Sequence, residues 1–422
     1  MLRSRRVLAT CGVAGAVCLA LAGAAPAWAV PPAASRAGQS GQSVQSLEWW
    51  FSSWDIQTKV WPLSRGAGVT VGVVDTGVQA NLPDLRAAVI PGGDTTGSRT
   101  NGMTDQNGPL GHGTGLAAVI AGQGVNGGVL GIAPAAKILP VVVGNGYSEL
   151  TGDMTTQTVA AGIRYAVAHG AGVINLSLGL PAPSASSCDP VLQDAVAYAL
   201  EHNVVVVAGA GNTNITGQTP QEPASCAGVL AVGAVGPNLK LWPDSAQQPY
   251  VAVSAPGSDI VSLGRTGGDV DGSGTSFACA FVSGAVALIR SRHPSMPWYQ
   301  VVQRIINTAL PAGGSAPNDS YGYGILRIPG ALNTAVYKVP ASAPNPVYTA
   351  YQQWLASPQG QQFTAPSHPK PRPSHRTQAA APASSGSSGG LIAVIAGVIV
   401  AAGLGAGLSV LVARRRRHRR YT

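Results

Sequence analysis

Six short runs of almost unbroken apolar residues punctuate the middle of this chain, at 69–74, 137–143, 173–178, 204–208, 229–235 and 250–253. A strand with one face in water alternates apolar and polar residues. These runs do not alternate, so both faces of each must be covered. Covers are at hand between them: Val159, Ile163, Ala166 and Val167 recur at helical spacing, as do Val191, Ala195, Val196 and Ala199. Two more buried helices are expected, one through Val282, Val286 and Ile289 and one over 298–308. The pattern predicts an α/β fold with a mostly parallel central sheet and helices on both faces. No internal repeat is visible. Open sheets of this kind place their chemistry just beyond the carboxyl ends of the strands.

The two ends read as addresses rather than as parts of that fold. Residues 1–29 combine a positive start at Arg3, Arg5 and Arg6, an apolar stretch over 7–25 and the small-residue site Ala27-Trp28-Ala29. That is the pattern of a secretory signal peptide cleaved after Ala29. Residues 391–412 carry no charge over 22 positions, enough to cross a hydrocarbon core of about 30 Å as a transmembrane helix. Arg414, Arg415, Arg416, Arg417, Arg419 and Arg420 follow, and the positive-inside tendency assigns the 413–422 tail to the cytoplasm. The expected location is the cell membrane, single-pass, with the folded part extracellular or periplasmic and the lipid bilayer as one partner.

The formal net charge is +9, but three positive charges lie in the signal and six in the tail, so the remainder is about neutral. Nothing in that balance points to nucleic acid. Residues 341–390 are rich in Pro, Ser, Ala and Gln and are expected to form an extended linker. One domain at 66–340 remains, preceded by an arm at 30–65 that holds Trp49, Trp50, Phe51, Trp54 and Trp61. Such aromatic density should leave water by packing onto the domain. Cys11 and Cys18 belong to the signal. In an oxidising exterior Cys188 and Cys226, each in a polar or Pro-rich connector, are expected to pair, while Cys279 reads as a buried apolar filler.

Four short motifs carry candidate chemistry, in the order acid, base, amide, nucleophile. Asp75, in V-V-D-T-G-V, ends the first apolar run; a carboxylate there can orient a histidine and stabilise its charged form. His112, in G-H-G-T, opens an apolar helical face between glycines that permit close backbone approach, a setting for a general base. His169 and His202 instead end amphipathic helices, where a cation suits the dipole. Asn212, in A-G-N after a buried run, is either a turn residue or the donor of a side-chain N–H to an oxyanion. Ser276, in G-T-S-F-A, stands at a helix start, where local positive potential favours a nucleophile as negative charge develops. The D-T-G triplet is also the signature of aspartic proteases, whose chemistry needs two carboxylates sharing a proton. No second D-T-G or D-S-G occurs, so a homodimer would have to supply the partner. No acidic cluster has the spacing of an oxygen-ligand loop, so neither metal nor cofactor is expected; a calcium site built from backbone carbonyls would leave no such trace.

Together these motifs resemble those of the subtilases, the subtilisin-like serine proteases, over 69–333. The resemblance implies a triad of Asp75, His112 and Ser276 that hydrolyses peptide bonds through an acyl-enzyme, with Asn212 and the Ser276 backbone N–H as oxyanion donors. It also implies that Ser177, Leu178 and Gly179 pair with an extended polypeptide substrate, and that Gly209, Ala210 and Gly211 wall the specificity pocket. Two positions depart from the pattern. The family usually has proline where Ala280 stands, in the first turn of the serine helix, and a second histidine where Gly115 stands. Slower turnover is the expected consequence.

The layout of signal peptide, Trp-rich arm, subtilase domain, proline-rich linker, span and basic tail resembles the mycosins, the membrane-anchored subtilases of actinobacterial type VII secretion systems. The E-W-W-F arm, the G-T-S-F-A motif and the Cys188 and Cys226 pair match that group, whereas its usual second disulfide, from arm to core, has no cysteines here. An arm over 30–65 is too short for an independent inhibitory domain and reads as a permanent wrap. The resemblance implies limited processing of secreted substrates and stabilisation of the type VII secretion membrane complex. Two other functions stay open: a catalytically weak or inactive structural component of that complex, and a general cell-surface protease.

Overall fold

The computed structural model describes residues 43–146 and 154–363. The signal peptide at 1–29, the transmembrane helix at 391–412 and the tail at 413–422 lie outside the described residues, as do 30–42 of the arm and 364–390 of the linker. No described helix is long and apolar enough to cross a membrane.

The strands, in chain order, are β1 (Thr70–Asp75), β2 (Gly93–Asp94), β3 (Lys137–Val142), β4 (Val173–Leu176), β5 (Leu180–Pro181), β6 (Val205–Gly209), β7 (Gln221–Glu222), β8 (Leu230–Val235), β9 (Val251–Pro256), β10 (Ile260–Leu263) and β11 (Asp269–Gly272). Seven of them form one sheet in the order β2-β3-β1-β4-β6-β8-β9, and every pairing in it is parallel. The six apolar runs supply six of those strands. The seventh, β2, is two residues at an edge and has no apolar run to announce it. Two antiparallel pairs, β5 with β7 and β10 with β11, stand apart from the sheet.

Alternation along β1 shows how both faces are closed. A Cβ on Gly72 would lie 2.9 Å from the Ala166 Cβ, and one on Gly162 would lie 2.8 Å from Val74. Gly72 and Val74 therefore face the helix Thr156–Ala168, which packs beside Pro190–Glu201. Successive strand residues point to opposite faces, so Val71, Val73 and Asp75 face the other way. There the helices His112–Ala121 and Thr275–Arg292 pack together, and Asp75 meets His112. Chain order also sets the location of the site. From β1 the chain turns to one side of the sheet, to β2 and β3; from β4 it turns to the other, to β6, β8 and β9. The crevice beyond β1 and β4 is the switch point at which such sheets bind ligands.

The described part of the arm packs onto the serine helix. Trp50 is buried edge-on against Phe281, with ring centroids 5.1 Å apart. Three other tryptophans use their indole N–H as well as their rings: Trp49 donates to the Asp259 carbonyl at 3.1 Å, Trp61 to Ile132 at 2.9 Å, and Trp54 to Leu326. A buried tryptophan contributes most when its N–H finds an acceptor.

One segment differs from its sequence reading. Residues 346–363, assigned to the 341–390 linker, form two short helices, Pro346–Leu355 and Pro358–Phe363, and Tyr351 and Phe363 are buried. Tyr351 packs on Trp298 at 5.6 Å and Tyr348 stacks on Tyr299 at 4.8 Å. Linker-like composition concealed a start signal, because the Asn345 side chain accepts from Tyr348 N and Pro346 takes the first helical position.

Candidate active site

Asp75 is the last residue of β1 and is almost fully buried. Its Oδ1 accepts from Thr76 N at 2.9 Å and Thr76 Oγ1 at 3.2 Å, and lies 2.8 Å from His112 Nδ1. His112 is the first residue of its helix, capped by Gly111 in the left-handed region. Both flanking glycines are required by packing. A Cβ on Gly111 would meet Arg265 Cβ at 2.6 Å, and one on Gly113 would sit 2.1 Å from the Gly77 carbonyl oxygen. A larger residue on either side would push the imidazole away from the carboxylate.

A second carboxylate, missed in the sequence, stands behind the first. Asp105 is fully buried and accepts from Thr76 Oγ1 at 2.8 Å, Asn107 N at 2.9 Å, and Thr114 N and Oγ1 at 2.8 and 2.6 Å. It thus joins the loop after Asp75 to the helix that begins with His112. Burial pushes the Asp105 carboxyl above its usual range, and these hydrogen bonds offset part of that. At His112 burial opposes the charged ring, but the Asp75 charge and hydrogen bond, with Asp105 further off, outweigh it and raise the imidazole above its ordinary value. A base held this way accepts a proton readily.

Ser276 is the second residue of the helix Thr275–Arg292. Its Oγ donates to the Ser177 carbonyl at 3.2 Å, while Ser177 Oγ donates to the Ser276 carbonyl at 2.8 Å. Ser177 Oγ also accepts from Asn175 Nδ2 at 2.9 Å, and Asn175 Oδ1 accepts from Ser283 at 3.1 Å. This buried chain locks the start of the serine helix to the end of β4. Asn175 and Ser283 lay inside apolar runs, which is the one signal that could have singled them out.

Asn212 immediately precedes the short helical turn Thr213–Thr216 beyond β6. Its Oδ1 accepts from both Thr275 N and Thr275 Oγ1 at 2.9 Å, which fixes the amide and leaves Nδ2 as a donor toward the serine. A Cβ on Gly274 would come within 3.3 Å of Asn212 Nδ2 and 3.7 Å of Ser276 N. The space beside bare Gly274 is therefore flanked by two N–H groups, the arrangement that holds an oxyanion.

Leu178 and Gly179 follow β4, and a small cleft beside Asp75 is lined by Thr76, Val143, Gly144, Met154 and Leu178. Gly209, Ala210 and Gly211 continue from β6, with Gly211 N donating to Thr275 Oγ1 at 3.2 Å. Cys188 and Cys226 are disulfide-bonded and Cys279 is buried and free. Ala280 is the sixth residue of the serine helix, in its second turn rather than the first, where alanine is the best helix former. Gly115 is buried, and a Cβ there would make ordinary contact with Ser262 Oγ at 3.4 Å.

The match to known proteins follows the same lines. The Subtilase family model, Peptidase_S8, matches residues 66–324. Fervidolysin of Fervidobacterium pennivorans is 32% identical over 328 residues, which cover 71% of this chain and 45% of that protein. Mycosin-1 of Mycobacterium tuberculosis is 35% identical over 330 residues, 67% of this chain and 72% of that protein. The solved structure of MycP3 protease from the type VII (ESX-3) secretion system superposes with a TM-score of 0.61 at 32% identity, covering 70% of this chain and 90% of that one. Structural likeness and family model agree: the chain belongs to the subtilases, the subtilisin-like serine endopeptidases.

Proposed function

We propose that the chain is a membrane-anchored subtilase of mycosin type, which processes polypeptides passing through a type VII secretion system and stabilises that system's membrane complex. The observation that carries the catalytic half is the 2.8 Å contact of His112 Nδ1 with the buried Asp75 Oδ1, set across the sheet end from a serine at a helix start. The contact fixes the imidazole with its proton on Nδ1, leaving Nε2 as the base. Ser276 Oγ attacks the scissile carbonyl carbon as its proton passes to His112 Nε2. Negative charge gathers on the former carbonyl oxygen, where Asn212 Nδ2 and Ser276 N donate to it. The imidazolium formed is stabilised by Asp75, and its proton goes to the leaving amine as the C–N bond breaks. Water, deprotonated by the same imidazole, then cleaves the acyl-enzyme ester.

The anchoring half rests on the uncharged 391–412 segment followed by six arginines, on the signal-like 1–29, and on the likeness to a MycP3 protease described as part of a type VII system. A chromosomal Ser276→Ala substitution compared with deletion of the whole gene tests both halves. The proposal expects loss of substrate processing in both strains and loss of secretion on deletion. Normal processing in the Ser276→Ala strain would refute the catalytic half, and normal secretion after deletion the structural half.

A further inference from the structure

The two glycine-rich walls of the substrate site are spanned by one side chain that sequence motifs do not mark. Gln221, in β7, is almost fully buried. A Cβ on Gly179 would lie 2.7 Å from Gln221 Oε1, and a Cβ on Gly211 would lie 3.0 Å from Gln221 Cγ. The glutamine thus reaches from the Ser177–Gly179 segment to the Gly209–Gly211 segment. An open pocket between two such walls would take a large side chain; here its depth is already filled.

The glutamine is held there. Its Nε2 donates to the Thr219 and Pro220 carbonyls at 3.0 and 3.1 Å, so Oε1 points away from those acceptors. Tyr250 ties the floor to one wall, since its hydroxyl accepts from Gln221 N and donates to the Ala210 carbonyl, each at 3.0 Å. The other wall is tied by the antiparallel pairing of β5 with β7, Leu180 opposite Glu222 and Pro181 opposite Gln221. Behind β7, the Cys188–Cys226 disulfide, the Ser225 Oγ bond to the Ser187 carbonyl at 2.7 Å and the Asp189 N bond to Glu222 Oε2 at 2.7 Å fix the backbone. Swinging Gln221 out would break several of these contacts at once.

From this geometry we infer that Gln221 is the floor of the specificity pocket and confines cleavage to bonds that follow a small, uncharged residue, alanine or serine. The inference rests on the peptidase reading and narrows its substrate class. An aromatic or long aliphatic side chain meets an amide already in place, and a carboxylate would face the Gln221 carbonyl oxygen. A serine hydroxyl can donate to that oxygen. Misfit of one or two methylenes in a closed pocket is worth roughly 10–200-fold in kcat/KM.

The test uses the full-length protein in detergent and peptides that differ only in the residue before the scissile bond: Ala, Ser, Leu or Phe. Wild type is expected to cleave after Ala and Ser at least about tenfold more efficiently than after Leu or Phe. Gln221→Gly and Gln221→Ala should each raise the Phe-to-Ala ratio of kcat/KM by about tenfold or more. Reaction with a fluorophosphonate lacking any such side chain reports that the catalytic centre of each variant is intact. Equal cleavage after Phe and Ala by wild type, or an unchanged ratio in both variants, would overturn the inference. If wild type reacts with neither peptides nor fluorophosphonate, the peptidase reading itself fails. Binding of product peptides ending in Ala or Phe, followed by calorimetry, then decides the pocket: tighter Ala supports it, and equal or tighter Phe overturns it.

Discussion

Asp75 and Asp105 behind the site and Glu48 in the arm are all buried, but they are given very different numbers of hydrogen-bond donors. Behind the site, Asp75 receives three contacts on one oxygen, from Thr76 N, Thr76 Oγ1 and His112 Nδ1, and Asp105 receives four donors. Within the arm, Glu48 is buried with Leu130 N at 2.7 Å on Oε1, and its Oε2 has no hydrogen-bond partner. Burial pushes the Glu48 carboxyl up to about 8, and the charges of Asp84 and Asp269 add to the shift. The contrast teaches what turns a buried acid to use. A carboxylate given donors and an imidazole can orient a base, whereas burial with a single N–H favours the protonated form at Glu48.

The largest expected effect falls on Asp75. Asp75→Asn removes the charge that fixes the imidazole tautomer, and peptide cleavage should fall by about 10⁴ in kcat. The same variant should lower the His112 midpoint, because Asp75 supplies the largest of the influences that raise it. In wild type, cleavage should increase as pH rises through that raised midpoint. Charged His112 stabilises the folded state most fully below its unfolded value, and this contribution is lost as pH rises through the folded one. Imidazole NMR in a Ser276→Ala background reads the midpoint directly.

Next in size, Asn212→Ala should reduce kcat by about 10²–10³ with little change in KM, since its donor acts on charge that develops in the transition state. A KM increase without loss of kcat would assign Asn212 to substrate binding instead.

Asp105→Asn sharpens the comparison because it keeps the shape and removes the charge. It should lower the His112 midpoint by less than Asp75→Asn does, as its charge is the last and smallest influence on the imidazole. A pH–rate profile identical to wild type would reduce Asp105 to a structural brace.

The smallest effect on cleavage belongs to Glu48. A carboxyl whose pKa rises from 4.5 to about 8 on folding makes the folded state lose stability as pH climbs between those values. Glu48→Gln should flatten that slope and raise Tm at pH 8 relative to wild type. Cleavage should be unaffected. A lower Tm at pH 8 would show that the ionised carboxylate stabilises the arm.

Much of the sheet was legible because strands covered on both faces cannot hide their apolarity, as β1, β3, β4, β6, β8 and β9 illustrate. Edge strand β2 was not, since two residues carry no periodicity. Asp75, His112, Asn212 and Ser276 were legible through their glycine neighbours, whose absent side chains record the close packing seen at Gly111 and Gly113. Asp105 was not, because its donors Thr76 and Thr114 lie inside motifs already read for other roles. Gln221 was hidden for a related reason: its importance comes from a two-residue antiparallel pairing that brings it between two distant walls. Residues 346–363 have the composition of a linker, and only the Asn345-Pro346 cap and the spacing of Val347, Tyr351 and Trp354 mark the helix there.

The most direct test of the central claim is the rate of fluorophosphonate labelling of the full-length protein across four forms. The account predicts labelling of wild type and Glu48→Gln at similar rates, far slower labelling of Asp75→Asn, and none of Ser276→Ala. Equal labelling of wild type and Asp75→Asn, or no difference between wild type and Ser276→Ala, would contradict it.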